Sequence, residues 1–185
     1  MKILADGTVR YLVGEFDFAE ADAGALGRRA YGRSANLTEY APEARARDSE
    51  LEKFLTERAG ARAEKVCADH FKLPFNASVG NTRNIDLADL IEVRCRRGAL
   101  ADLGIRPKDK MRLPHVLVRY YGECIDIVGW LCGWEGRERA EQLKIRLCPI
   151  RKVWYVPPPY HSVRSLEQWL MCGHRLHWMP PGLAE

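Results

Sequence analysis

The chain has 185 residues, of which 46% are hydrophobic and 29% charged, with 29 Lys and Arg against 25 Asp and Glu. This length fits one compact domain, and the near-average composition excludes disordered and collagen-like chains. No apolar run approaches the ~18–20 residues of a transmembrane helix, so no membrane partner is expected. Six cysteines without a CxxC pair, and an N-terminus without the apolar core of a signal peptide, predict free thiols and a cytoplasmic location.

Positive charge is concentrated in the second half of the chain. Residues 1–89 carry 13 basic and 15 acidic side chains, whereas residues 90–185 carry 16 basic and 10 acidic ones, and arginine supplies 21 of the 29 positive charges. A GC-rich genome alone can raise the arginine content. The other interpretation is a basic face for a polyanion, because the guanidinium group matches phosphate in shape and charge.

The first half of the chain predicts a hairpin followed by helices. Two short apolar runs flank Asp6-Gly7, a pair that favours a type I′ β-hairpin because both turn residues need positive φ. Asp17 is placed to cap the following helix. Apolar residues then recur at helical spacing over 43–71, which predicts a second helix that ends before Pro74.

The second half changes to a strand pattern. Short helices are expected at 134–143 and after Ser162 or Ser165. The order of these elements predicts an α+β fold. Residues rich in β-branched and aromatic types, separated by short polar turns, predict strands at 90–95, 101–106, 115–121, 124–131 and 152–156.

The segment from Asn84 to Arg94 contains a charge pattern suited to metal chemistry. Residues two apart on a strand face the same side, so Glu92 and Arg94 project together. Asp86 lies beyond an expected bend and can return to the same end of the strand. Two carboxylates near one backbone carbonyl, that of Val93, make a site for Mg²⁺ or Mn²⁺, which prefer oxygen ligands. Arg94 would then hold a phosphate or stabilise developing charge.

A third carboxylate precedes this segment on the second helix. Glu64 shares a helical face with Cys67 and Phe71, where a buried charge needs a partner. A metal-bound water or Arg94 would be such a partner for Glu64. For Asp86, Glu92 and the neighbouring arginines, the opposing interpretation is a solvated face with surface ion pairs, which is the commoner origin of such patterns.

Basic residues follow the carboxylates along the chain. If the carboxylate site exists, these basic residues are expected to bind the phosphates of the nucleic acid. If it does not, they are expected to lie in a solvated loop. Cys172, His174 and His177 are a weaker candidate for zinc, because their spacing matches no common site. The candidate nucleic-acid-binding residues are Arg96, Arg97, Arg106, Lys108, Lys110 and Arg112.

These features stand in a fixed order along the chain. The set resembles a group of small phage and prophage proteins of uncertain function, whose central pattern is similar to the core of the PD-(D/E)XK, or restriction-endonuclease-like, nuclease superfamily. The resemblance covers roughly residues 43–170 and extends weakly to the N-terminal helix. It is carried by Gly60-x3-Glu64, Asp86-x5-Glu92-Val93-Arg94, Asp109, Pro114–Val118 and Ile127–Trp130.

The resemblance implies a fold and a set of roles. The fold would be a restriction-endonuclease-like core with a mixed β-sheet and flanking helices, preceded by a hairpin-and-helix extension. Glu64 would be the helix carboxylate, Asp86 the first metal ligand with Asp89 as the alternative, and Glu92 the second ligand. Arg94 would stand where the superfamily has lysine. Because arginine stays protonated, it would hold phosphate rather than activate water.

Together with the charge pattern, the resemblance implies a phage-encoded endonuclease, dependent on Mg²⁺ or Mn²⁺, that hydrolyses DNA in the cytoplasm of a bacterial host cell. Its expected organisation is a hairpin and helix at 1–42, a nuclease-like core at 43–172 and a tail at 173–185. Cutting of both strands would suit a homodimer. The alternative is a catalytically degenerate factor that binds nucleic acid or a protein partner, as an anti-defence protein would.

Overall fold

A computed structural model of the protein describes residues 1–32, 50–76 and 86–172. Within them the strands are β1 (Lys2–Ile3), β2 (Val9–Leu12), β3 (Glu92–Arg97), β4 (Leu103–Ile105), β5 (Pro114–Tyr121), β6 (Cys124–Cys132) and β7 (Trp154–Val156). The α-helices are α1 (Ala19–Gly32), α2 (Glu50–Phe71), α3 (Gly133–Gln142) and α4 (Val163–Met171). No helix in these ranges is long and apolar enough to cross a membrane.

Five of the strands form a mixed sheet in the order β1-β2-β6-β5-β3. β3 runs parallel to β5, and the other neighbours in this sheet are antiparallel. β4 and β7 form a separate antiparallel pair. The expected α+β class, with a mixed sheet and flanking helices, is confirmed. In the described part of the chain β3 is an edge strand of the large sheet.

Buried side chains cover both faces of the large sheet. Val116 and Val118 of β5 join the core that packs against α1, α2 and α4. Leu117, between them, faces the opposite way and packs with residues of β4, β7 and α3. This alternation follows from the two-residue period of a strand. The sheet is therefore the middle of three layers, and its edge at β3 is accessible to groups from both outer layers.

The N-terminal hairpin forms where it is expected, but with a different turn. Of the two predicted turn residues only Gly7 has positive φ, at +83°. The Leu4 N–H donates to the Thr8 carbonyl at 2.8 Å, and the Asp6 carboxylate accepts the Thr8 N–H at 3.0 Å. The loop therefore has three residues with glycine in the left-handed position, and the type I′ prediction is wrong.

The helical predictions agree with the structure where it describes them. The Asp17 carboxylate accepts the Ala19 N–H at 2.9 Å, which confirms the predicted cap of α1. α2 ends at Phe71, before Pro74, as expected. Ser162, of the two candidate serines, caps α4 by accepting the Ser165 N–H. Residues 33–49, 77–85 and the predicted tail 173–185 lie outside the described residues.

Candidate active site

Residues 86–91 form a tight turn that leads into β3. Leu87 and Ile91 are fully buried and form an isolated antiparallel bridge, which closes the turn. Ala88 and Asp89, at the tip, have left-handed backbones with φ of +51° and +58°. The apolar pair anchors the turn in the core, and the expected bend before β3 is present. It also explains why the strand predicted from residue 90 begins two residues later.

The turn places Asp86 against the outer edge of β3. Its Oδ2 accepts a hydrogen bond from the Val93 N–H at 2.7 Å. That N–H therefore points away from β5. Since the N–H and C=O of one strand residue point to the same side, the Val93 carbonyl lies at the same edge. The Val93 carbonyl therefore points to the same edge of β3 at which the Asp86 carboxylate lies.

Glu64 reaches this edge from the helical layer. It lies on α2, which packs against β3. Burial, and then the charge of Glu64, raise the pKa of Cys95 on β3 to about 12. Burial and the same charge also raise the pKa of Cys67 on α2. The Glu64 carboxylate is therefore close enough to both cysteines for its charge to act on them.

The charges of two further carboxylates, Glu64 and Glu92, act on Asp86. Burial, followed by the charges of Glu64 and Glu92, raises the pKa of Asp86 from 3.8 to about 8. The hydrogen bond from Val93 and the positive charge of Arg94 act in the opposite direction but are weaker. A buried carboxyl group beside two further carboxylates is costly to ionise, and such perturbed groups are typical of functional sites.

Arg94 lies between two carboxylates on the sheet face away from α2. Its Nη2 is 2.7 Å from Asp109 Oδ1 and 3.1 Å from Glu92 Oε1. Parallel pairing places Glu92 opposite His115, which is fully buried. Burial, and then the charge of Arg94, lower the pKa of His115 to about 4. His115 is therefore neutral at physiological pH, and carboxylates balance the charge of Arg94.

Asp109 is a buried carboxylate in an otherwise basic loop, residues 106–113. Its Oδ2 accepts the Arg106 N–H at 2.7 Å, and its carbonyl accepts a hydrogen bond from Arg137 on α3. Its contact with Arg94 is not predicted from the sequence, where Asp109 enters only through the resemblance. One acidic residue inside a run of basic ones is the signal that could have indicated it.

The candidate nucleic-acid-binding residues occupy two different places. Arg96 is half-buried, with its guanidinium group 4.4 Å from the ring centre of Tyr155, and Arg97 is exposed at the end of β3. The others lie on the loop that carries Asp109, so the Asp109–Arg94 contact brings this loop to the site. Of these loop residues Arg106 is half-buried, and the exposed ones are Lys108, Lys110 and Arg112.

Asp89, the alternative ligand, is exposed at the tip of the turn, whereas Asp86 lies at the strand edge. We predict that Asp89→Gly changes the free energy of unfolding by less than about 0.5 kcal/mol, because the residue is exposed and glycine accepts its positive φ. Divalent-metal affinity should be unchanged. Thermal melting and a Mn²⁺ titration check both statements, and a large loss of affinity would make Asp89 a ligand.

The donor set at the strand edge suits a hard divalent cation. Carboxylates and a backbone carbonyl are preferred ligands of Mg²⁺ and Mn²⁺, and a bound cation would stabilise the charged form of Asp86, which burial and the charges of Glu64 and Glu92 disfavour. As placed, no three His, Cys, Asp or Glu side chains of the described residues form a ready-made metal site. Glu92 contacts Arg94, so metal binding here requires Glu92 to turn toward Asp86. Of the zinc candidates, His174 and His177 lie outside the described ranges.

No protein family, curated protein or solved structure matches this chain. The chemistry of the site therefore has to follow from its own residues.

Proposed function

We propose that the protein is a metal-dependent endonuclease that hydrolyses DNA phosphodiester bonds on a restriction-endonuclease-like core. The observation that carries this proposal is the placement of Asp86 at the outer edge of β3, where the charges of Glu64 on α2 and of Glu92 on β3 both act on it. Burial and, after it, the charges of Glu64 and Glu92 raise the pKa of Asp86 to about 8, and a carboxyl group perturbed in this way is typical of functional sites.

Each residue of the site has a role in this proposal. A bound Mg²⁺ would stabilise charge on the phosphodiester and make a bound water more acidic. Asp86, Glu92 and the Val93 carbonyl would hold the ion, with Glu64 as the accompanying helix carboxylate. Arg94 would bind a phosphate oxygen through its guanidinium group, since it cannot act as a base.

The exposed basic residues of the loop 106–113 would contact the DNA backbone. Lys108, Lys110 and Arg112 lie on the loop that Asp109 attaches to Arg94, the residue proposed to bind phosphate. Contacts of this kind hold the duplex in register and carry no sequence information. A phage origin, the bacterial cytoplasm as location and a homodimer for double-strand cutting belong to the same proposal.

A second candidate is a degenerate member of the same class that binds nucleic acid or a protein without cutting. The specific observation in its favour is Arg94, which occupies the proposed lysine position and is held by Asp109. This version predicts association with DNA that needs no divalent ion and weakens steeply with salt.

One experiment separates these functions. Labelled duplex, single-stranded and branched DNA, with RNA of matched sequence, is incubated with the protein in Mg²⁺, Mn²⁺ or EDTA. Each reaction is divided between a denaturing gel for cleavage and a native gel for binding. The endonuclease predicts DNA cleavage that EDTA abolishes. Binding without cleavage supports the degenerate factor. Absence of both overturns the two nucleic-acid functions and directs the search to a protein partner.

A further inference from the structure

We propose that Asp109 is a positioning residue: it is the permanent counter-ion of Arg94 and thereby leaves Glu92 available for a divalent cation. This inference rests on the proposed function, because it assigns to Glu92 the part of a metal ligand. It adds that the availability of Glu92 depends on a residue that touches neither the metal nor the substrate.

The two carboxylates beside Arg94 differ in how firmly they are placed. Asp109 is fixed at three points: Oδ1 contacts Arg94 at 2.7 Å, Oδ2 accepts the Arg106 N–H at 2.7 Å, and the carbonyl accepts from Arg137. The Glu92 contact is longer, at 3.1 Å. The Glu92 side chain is 23% exposed against 6% for Asp109. Glu92 is therefore the carboxylate that can move away from Arg94, whereas Asp109 remains paired with it.

The other neighbours of Arg94 cannot take over the charge of Asp109. His115 lies on the same sheet face, but an imidazole side chain is either neutral or positively charged and cannot act as a counter-ion of Arg94. Arg137 is itself a cation beside Asp109. Without the charge of Asp109, the buried guanidinium of Arg94 would hold Glu92 more tightly. A metal ion would then have to compete with Arg94 for this carboxylate.

The test is a calorimetric titration of the full chain with Mn²⁺, without DNA. Four proteins are compared: wild type, Asp109→Asn, Arg94→Gln and the double variant. We expect Asp109→Asn to bind Mn²⁺ about tenfold or more weakly, as for other residues that support a metal ligand. The double variant should bind within about twofold of Arg94→Gln, because no cation then competes for Glu92. A residue with a merely structural role would not be rescued by removal of Arg94.

Asp126→Asn is the matched control. Asp126 is also a buried aspartate, 5% exposed, whose carboxylate lies 2.8 Å from the guanidinium of Arg10 outside this cluster. This variant should lose stability but keep the wild-type affinity for Mn²⁺. An equal loss of affinity in Asp126→Asn would show that any weakened fold lowers metal binding, and would overturn the inference.

The remaining outcomes are also decisive. Wild-type affinity in Asp109→Asn, or no rescue in the double variant, overturns the role of Asp109 while leaving the metal site intact. No binding of Mn²⁺ by the wild type overturns the proposed function, and the inference with it. Circular dichroism shows whether Asp109→Asn folds. If it does not, the Mn²⁺ affinities of Arg94→Gln and of the double variant are compared instead. Equal affinities support the inference, and weaker binding by the double variant contradicts it.

Discussion

Asp86→Asn is expected to make the protein more stable at pH 8 while it abolishes divalent-metal-dependent cleavage. The carboxylate of Asp86 is raised to a pKa of about 8 by burial, Glu64 and Glu92, so its charged form is unfavourable in the fold. Asparagine removes the charge but keeps an oxygen that accepts the Val93 N–H. The pKa difference sets a limit of about 5–6 kcal/mol, and the burial cost of the amide reduces the expected gain to roughly 2–3 kcal/mol.

The gain should depend on pH in a defined way. Below about pH 4 Asp86 is protonated in the folded and the unfolded chain, so the substitution has little effect. Between about pH 4 and pH 8 the unfolded chain loses the proton while the folded chain keeps it. The wild type therefore loses stability relative to Asp86→Asn throughout this range, and the difference is constant above pH 8.

Urea unfolding at several pH values measures this difference. Asp126→Asn serves as the contrasting variant, since Asp126 accepts hydrogen bonds from Arg10 and Tyr121 and should lose stability when neutralised. A loss of stability in Asp86→Asn at pH 8, similar to that of Asp126→Asn, would mean that Asp86 serves the fold rather than a site.

Glu92→Gln is expected to abolish cleavage with almost no change in melting temperature. Loss of one proposed metal ligand removes several kcal/mol of transition-state stabilisation, which corresponds to roughly 10²–10⁴ in rate. The fold should tolerate the change because Arg94 keeps Asp109 at 2.7 Å. Gel assays of cleavage and thermal melting of the same preparations measure both effects, with exposed Glu138→Gln on α3 as the control.

The purely structural hypothesis makes the opposite prediction for this residue. If Glu92 served only to pair Arg94, its neutralisation would break a partly buried ion pair and cost about 3–5 kcal/mol. Such a loss, with cleavage at the wild-type rate, would assign Glu92 to the fold and remove it from the site.

Local patterns predict most of the fold. The β-rich segments at 115–121 and 124–131 match β5 and β6 to within one residue, and Asp17 caps α1, because these features depend on neighbouring residues only. The parallel pairing of β3 with β5 could not be predicted in this way, since it is set by packing between segments far apart in the sequence. The left-handed backbone at Ala88 and Asp89 could not be predicted either, because neither residue is the glycine that usually adopts this conformation.

The candidate site, like the fold, is predicted from the sequence only where it depends on neighbouring residues. Strand spacing places Glu92 beside Arg94, and the expected bend returns Asp86 to the same strand, so this part follows from the sequence. The contact between Asp109 and Arg94 does not, because the loop 106–113 is positioned by hydrogen bonds from α3 and by the buried strand β4. Sequence spacing does not indicate which carboxylate forms an ion pair with a given arginine.

The central claim is that the carboxylates of Glu64, Asp86 and Glu92 form a divalent-cation site, and a melting experiment tests it most directly. The melting temperature of the wild type and of Asp86→Asn is measured at pH 8 over a series of Mn²⁺ concentrations. A ligand that binds only the folded state adds about 2.7 kcal/mol of stability at 100 times its dissociation constant. We predict a concentration-dependent rise for the wild type and none for Asp86→Asn. A wild-type melting temperature that does not respond to Mn²⁺ would contradict the claim.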